Sequence, residues 1–161
     1  DVKKKEIYKH KHYCKINTTN FPRQSCSRKK EEMGVSASVA ESIWREIESA
    51  KSVTDDQLSI LHFLFGKNLE RATKIMDEKG VKRICGRPSG RSIFQVIGRK
   101  EEYLCFPEHY CSCYAFFYET VNRGEQLCCK HQLASKFAAS LGTCIEVEVS
   151  DEELAQLLVK L

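Results

Sequence analysis

The spacing of four cysteine and histidine residues constrains the fold of this chain more than any other feature. Cys111 and Cys113 are separated by one residue, fifteen residues follow, and Cys129 and His131 are again separated by one residue. One intervening residue places both sulfurs of the first pair on the same side of an extended strand. Three thiolates and one imidazole complete a tetrahedral Zn²⁺ site. The pattern therefore predicts one zinc ion that ties a strand to a second segment of the chain.

The second ligand pair stands where a helix is expected to begin. Apolar residues recur at helical spacing through segment 129–139, which places Cys129 and His131 in the first turn. Four protein ligands leave no position for a coordinated water, so we expect a structural site rather than a hydrolytic one. Cys128 abuts Cys129 and offers an alternative ligand, which leaves the register of this pair open.

The cysteine count favours metal binding over a disulfide framework. The chain contains nine cysteines, an odd number, and four of them have ligand spacing. Outside the ligand pattern, Cys85, Cys105 and Cys144 fall in or near predicted strands, where a thiol packs as a small hydrophobic group.

The positive charge of the chain is concentrated at its start. The net charge is +4, yet residues 1–30 alone contain ten Lys or Arg and two acidic residues. Segment 1–32 has too little apolar surface to offset the entropy of ordering, so we expect a disordered basic tail. Two interpretations of this tail stay open: a native arm, or an extension ahead of a start at Met33.

Segment 33–80 has the pattern of three helices. The first has apolar residues at helical spacing, namely Val39, Ile43, Ile47 and Ala50. The second opens with a capping-box sequence at Thr54–Gln57 and ends at Gly66, and the third is predicted to close at Gly80 as a C-cap. The apolar run 61–65 contains more apolar residues than one narrow core stripe accounts for. We therefore expect that part of it either faces a partner or is deeply buried in this chain's own core.

Segment 81–161 has β character around the ligand pattern. We predict strands at 81–85, 92–97, 103–106 and 144–149, a finger at about 103–140, and a C-terminal helix that opens with a capping box at Ser150. The predicted fold class is therefore α+β. It comprises a helical N-terminal layer, a small antiparallel sheet with a structural zinc finger running into a helix, and a C-terminal strand and helix.

The first predicted hairpin is basic and raises the question of nucleic-acid binding. Arg83, Arg87 and Arg91 lie in a stretch, 79–100, that contains seven basic residues and no acidic one. Such a cluster is typical of a surface that contacts phosphates. The alternative is a solvated hairpin whose charged edge prevents aggregation.

The ligand pattern resembles the SWIM-type zinc finger, and further motifs resemble one family of small SWIM proteins. These motifs are the run 61–66, Pro88–Arg91 followed by 94–96, His109–Cys113 and Cys129–His131. Together they look like the small zinc finger SWIM domain-containing protein 7 family, the SWIM subunit of the Shu complex in homologous recombination. The resemblance covers residues 33–161, and it implies that Cys111, Cys113, Cys129 and His131 bind zinc.

The resemblance also implies a function. It implies a nuclear, non-enzymatic accessory factor that binds a RecA/Rad51-like ATPase and promotes recombinase filaments on single-stranded DNA. No apolar run approaches the roughly 20 residues that a membrane helix needs, and we expect neither a membrane nor a small-molecule substrate among the partners. A different binding role, as a SWIM adaptor for chromatin, transposase-like or ubiquitin-ligase machinery, is the first alternative. The second is a Cys–His hydrolase that uses Cys129 or Cys128 with His131, although no orienting Asp or Asn is evident in the sequence.

Overall fold

The computed structural model describes residues 23–98, 101–159 and 161, with side chains described from residue 34 onward within these ranges. Its elements, in chain order, are α1 (Arg23–Ala50), α2 (Asp55–Phe65), α3 (Lys67–Asp77), β1 (Val81–Arg87), β2 (Ser92–Ile97), β3 (Glu102–Phe106), β4 (Tyr110–Cys111), a π-helical segment (Phe116–Asn122), α4 (Lys130–Leu141), β5 (Ile145–Ser150) and α5 (Asp151–Leu158). The predicted α+β class is confirmed. Among the described residues, no helix is long and apolar enough to cross a membrane.

Helix α1 begins earlier than the sequence pattern indicated. It starts at Arg23, directly after Pro22 and ten residues before the predicted boundary at residue 33. Residues 23–32 include Arg, Lys, Gln and Glu, which are residue types of high intrinsic helix propensity. The expected disorder of segment 23–32 is therefore corrected to helix, while residues 1–22 of the predicted tail lie outside the described residues.

The buried face of α1 is rotated from the predicted one. Among the side chains described for this helix, from residue 34 onward, the buried ones are Ala40, Ile43, Trp44 and Ile47. Val39, which we expected to face inward, is 41% exposed. The buried face of the helix includes Trp44 because its large ring fills the space between Phe65 and Phe137. Aromatic side chains dominate the energetics of a core.

Helices α2 and α3 form the remainder of the helical layer. Both the start of α2 and the junction between the two helices match the prediction. The Gln57 backbone N–H donates to Thr54 Oγ1 at 3.2 Å, and the Thr54 backbone N–H donates to Gln57 Oε1 at 3.0 Å. This is the predicted capping box, which satisfies two of the free N–H groups at a helix start. Gly66 separates the two helices, as expected.

The end of α3 differs from the predicted glycine cap. The helix ends at Asp77, and Lys79, not Gly80, has a positive φ, of 53°. Gly80 lies so close to α3 that an added Cβ would be 3.0 Å from both Cγ2 and the carbonyl oxygen of Ile75. Close packing against α3, rather than backbone conformation, therefore favours glycine at residue 80.

The five strands form one mixed sheet in the order β4-β3-β2-β1-β5. The pairs β1–β2, β2–β3 and β3–β4 are antiparallel, as predicted. Strand β5 instead pairs in parallel with β1, with Lys82 opposite Ile145. The expectation of a purely antiparallel sheet is corrected here, because a long crossover, which ends with α4, returns the chain to the same end of the sheet before β5 begins.

Successive residues of the sheet contribute to two separate hydrophobic clusters. Phe94 and Val96 of β2 pack in the large core with α1, α2, α3 and α4. Ile93, which directly precedes Phe94 and faces the other side of the sheet, packs with Ile84 and Leu154 of α5. The alternation follows from the period of two along a strand. The sheet is therefore covered by the helical layer on one face and by α5 on the other.

We predict that Gly86→Ala destabilises the protein, because α5 crosses β1 at this position. An added Cβ would lie 2.5 Å from Asp151 Oδ1 and 2.8 Å from Leu154 Cδ2. Urea unfolding is expected to show a loss of about 1–3 kcal/mol, which is typical of overpacking. Gly34→Ala in α1 is the matched control: nothing lies within 4 Å of its added Cβ, so a gain of about 0.5–1 kcal/mol is expected. Equal stability of the two variants would contradict the close packing of α5.

Candidate metal centre

The structure brings together the four residues of the predicted zinc pattern from two separate elements. Cys111 ends β4, and Cys113 follows two residues later, ahead of the π-helical segment. Cys129 is the N-cap of α4, and His131 lies in its first turn. The site therefore joins the last hairpin of the sheet to the start of a helix, as the sequence spacing indicated.

The distances within the cluster fit a tetrahedral zinc ion. One ligand atom from each of the four residues lies within 4.8 Å of all the others. Cys111 Sγ and His131 Nδ1 are 3.8 Å apart. Zn–S bonds of about 2.3 Å and Zn–N bonds of about 2.0 Å place tetrahedral neighbours about 3.6–3.8 Å apart. The Cys111–His131 separation therefore matches that of two ligands on one zinc ion, and the other ligand atoms lie close enough to share it.

The cluster is closed to solvent. The four side chains have relative exposures of 2% for Cys111 and Cys129 and 3% for Cys113 and His131. Cys113 Sγ also accepts a hydrogen bond of 3.3 Å from the Phe116 amide N–H, an interaction that stabilises a thiolate. A buried site with four protein ligands and no open position is typical of structural zinc.

Gln132 connects the ligand helix to the hairpin, and sequence reasoning missed it. Its Oε1 accepts from the Cys129 amide N–H at 3.1 Å, and its Nε2 donates to the Pro107 carbonyl at 3.2 Å. The side chain is only 3% exposed. The sequence does contain a signal for this contact. It is a capping box in which Cys129 takes the place of Ser or Thr, with Gln at the third helical position.

The His131 ring is positioned by stacking rather than by a hydrogen bond to its second nitrogen. Nδ1 faces the thiols, and the Tyr103 ring stacks on the imidazole at 4.3 Å with an angle of 25° between the ring planes. Nε2 is buried and has no hydrogen-bond partner among the described residues. Ligating histidines usually donate that second N–H to an acceptor, so Tyr103 takes over part of the orienting role here.

The three thiols interact strongly in their protonation. Hydrogen bonds from Cys111 and Cys129 lower the pKa of Cys113. The pKa of Cys111 is raised by hydrogen bonding with Cys105 and Cys113, and that of Cys129 is raised by hydrogen bonding with Cys111 and Cys113. One thiol therefore ionises readily and suppresses ionisation of the other two. A bound Zn²⁺ supplies the positive charge that three adjacent thiolates need, and its binding releases protons.

Cys128, the alternative ligand, lies outside this cluster. Its side chain lines a cavity of about 230 Å³ together with Trp44, Phe65 and Leu133. Burial raises its pKa to about 12, and its backbone carbonyl accepts a hydrogen bond from Asn68 Nδ2 at 3.3 Å. The structure therefore brings Cys129, and not its neighbour, to the other three ligands.

The basic residues of the hairpin lie away from the cluster and are partly neutralised by β5. Arg83 Nη1 is 3.8 Å from Glu146 Oε1, and Arg87 forms an ion pair with Glu148 that raises the pKa of its guanidinium. Arg91 is exposed in the turn that precedes β2. Phosphate contact by these three arginines stays a prediction, and the two ion pairs compete with it.

The fold and the site together define a small zinc finger protein of the α+β class. Its single zinc is held by three cysteines and one histidine, with one residue between the members of each pair. That ligand order and spacing are those of a SWIM-type finger.

Comparison with known proteins identifies the family. Zinc finger SWIM domain-containing protein 7 of Danio rerio is 37% identical over 127 residues, covering 75% of this chain and 90% of that protein. The Homo sapiens protein of the same name is 33% identical over 115 residues, covering 70% of this chain and 81% of that protein. The Dictyostelium discoideum homolog is 26% identical over 110 residues. The search against family models gave no match, and no solved structure matched the chain. This chain belongs to the zinc finger SWIM domain-containing protein 7 family.

We predict that the protein binds one Zn²⁺ and that Cys111→Ser, Cys113→Ser, Cys129→Ser and His131→Ala each abolish stoichiometric binding. The free energy of structural zinc binding, about 10 kcal/mol or more, contributes to folding, so these variants should also lose a cooperative unfolding transition. Metal analysis of purified protein checks the stoichiometry. Cys85→Ser and Cys105→Ser are controls and should retain zinc. Loss of zinc in Cys128→Ser with retention in Cys129→Ser would show that the ligand register is wrong by one residue.

Gln132→Ala is expected to weaken zinc binding without abolishing it. The variant leaves the ligands in place but frees the α4 start from the Pro107 carbonyl, and groups that support metal ligands typically affect affinity about 10–100-fold. Competition with a chromophoric chelator measures the change. Gln156→Ala on the exposed face of α5 is the matched control. Wild-type affinity in Gln132→Ala would contradict the positioning role.

Proposed function

We propose that this protein is a non-enzymatic, zinc-dependent accessory subunit in homologous-recombination DNA repair. In this proposal it acts in the nucleus, binds a RecA/Rad51-like ATPase paralogue and supports recombinase filaments on single-stranded DNA. The observation that carries the proposal is the buried Cys₃His cluster in a chain of this family. The family resemblance supplies the ATPase partner and the pathway.

The geometry of the zinc site supports a binding role. Four protein ligands in a buried cluster leave no coordinated water to activate, so the metal orders the chain and performs no hydrolysis. Helix α4, which begins at the site, packs on α1, α3 and the sheet. Zinc therefore fixes the relative position of the helical layer and the finger, and any partner surface that includes both depends on the metal.

An exposed aromatic residue next to the finger further supports protein binding. Phe63 in α2 is 87% exposed, whereas Leu61 and Phe65 in the same helix are buried. Phe63 also borders a groove whose other lining includes Glu119 and Glu125 of the finger. Contiguous apolar patches rimmed by polar groups are typical of interaction surfaces, and Phe63 shares this groove with Leu64 and Phe65.

We expect the zinc-loaded chain, co-expressed with a RecA-like paralogue, to recover that ATPase in a stoichiometric pull-down. Cys113→Ser should lose most of this recovery because the finger is no longer fixed, whereas Cys85→Ser should retain it. Phe63→Ser tests the surface without touching the metal and should reduce recovery by about tenfold, as expected for a central interface aromatic residue. Failure of well-folded, zinc-loaded wild-type protein to recover any RecA-like paralogue would overturn the proposed function.

A further inference from the structure

Aromatic side chains on the finger point outward although the segment that carries them is anchored from inside. Tyr114, Phe117 and Tyr118 are 76%, 62% and 38% exposed. We refer to these three residues as the aromatic face. Phe116 of the same segment is buried and packs edge-on against Tyr110 at 5.7 Å. The aromatic face is therefore held on an ordered support next to the zinc ligands.

The rings of the aromatic face are arranged for stacking. Tyr114 and Tyr118 stack on each other, with an angle of 13° between ring planes and 5.5 Å between ring centroids, so a base can stack only on an outer face of the pair. The guanidinium of Arg123 lies 5.1 Å from the centroid of the Tyr118 ring. Parallel rings that remain exposed and have a cation beside them provide the combination that stacks nucleobases and attracts phosphate.

The charges around this surface allow a small number of phosphate contacts. Lys67 and Arg71 of α3 line the neighbouring groove, which also contains Glu119 and Glu125. Glu125 lies 3.4 Å from Arg123, so that cation is shared. Cations and carboxylates are thus nearly balanced, and binding here has to rely on stacking more than on charge.

The basic hairpin differs from the aromatic face, because it has charged groups but lacks neighbouring rings on β1 and β5. Arg83 and Arg87 form ion pairs with Glu146 and Glu148, and the described side chains beside them on β1 and β5 include no aromatic ring. A surface of paired charges without stacking partners is poorly suited to a flexible single strand, whose bases stay solvated unless they stack.

We propose that the aromatic face binds single-stranded DNA, with bases stacked on Tyr114 and Tyr118 and a phosphate contacting Arg123. The inference rests on the proposed function, in which single-stranded DNA is the working substrate of the complex, and it assigns the DNA contact to the finger itself. Phe117, whose ring is also exposed, extends the stacking surface. Duplex DNA hides the faces of its bases, so it should bind more weakly than a single strand.

Fluorescence anisotropy with the full zinc-loaded chain and a labelled oligothymidylate of about 15 nucleotides tests the proposal. Tyr118→Leu and Tyr114→Leu keep apolar area but remove the ring, and each should raise Kd about fivefold or more. Tyr118→Phe keeps the ring and should bind as the wild type does. Arg123→Gln should lower the slope of log K against log salt by about 0.7. Metal analysis of each variant verifies that the finger remains loaded.

Three outcomes would contradict the proposal that the aromatic face binds single-stranded DNA. Absence of binding by the wild type, or equal Kd values for the Leu and Phe variants, would overturn the assignment. So would loss of RecA-like paralogue recovery in Tyr118→Leu with unchanged DNA affinity, which would make the aromatic face a protein-docking surface. The proposed function is judged separately by recovery of the ATPase with wild-type protein, so either proposal can fail while the other stands.

Discussion

Closure of the Cys₃His cluster is the interaction on which the remaining architecture depends. The ligand pairs are separated by a fifteen-residue segment that contains only one π-helical stretch. Its inward contacts are the packing of Phe116 against Tyr110 and of Ala115, Leu127 and Cys128 against the large core, which is modest for a segment of that length. The metal replaces the missing core there. Because Cys129 and His131 also begin α4, the same bonds that close the finger fix the helix around which the large core is built.

Protein contacts reinforce the metal link from both sides. Lys136, one turn further along α4, donates to Glu41 of α1 at 2.7 Å and to Glu108 in the β3–β4 turn at 3.1 Å. Gln132 reaches Pro107 in the same turn. A half-buried lysine that satisfies two carboxylates is more effective than an isolated surface pair, because its desolvation is shared between two partners. The finger, the first helix and the hairpin are thereby held as one unit.

Local signals in the sequence were sufficient for most elements and for the ligand set. Capping boxes at Thr54 and Ser150 and the C-x-C and C-x-H spacings depend on residues within one turn or one strand, and the structure contains each of them. The features that differed depend on partners distant in sequence. The parallel β1–β5 pairing, the rotation of α1 toward Trp44 and the carboxylates opposite Arg83 and Arg87 are decided by tertiary packing. Gln132 was missed because a cysteine N-cap is an unusual first member of a capping box.

The parallel pairing of β5 with β1 also determines when the protein can complete its fold. Lys82 and Ile145 are neighbours in the sheet but are separated along the chain by β2 and the whole finger. Closing so long a loop is slow unless an internal cross-link shortens it. Zinc binding shortens this loop because it links the two ends of the finger. A newly synthesised chain in a zinc-poor cell would leave β1 as an unpaired sheet edge, which favours aggregation and recognition by the quality-control machinery. Metal supply would then set the abundance of the protein as well as its shape.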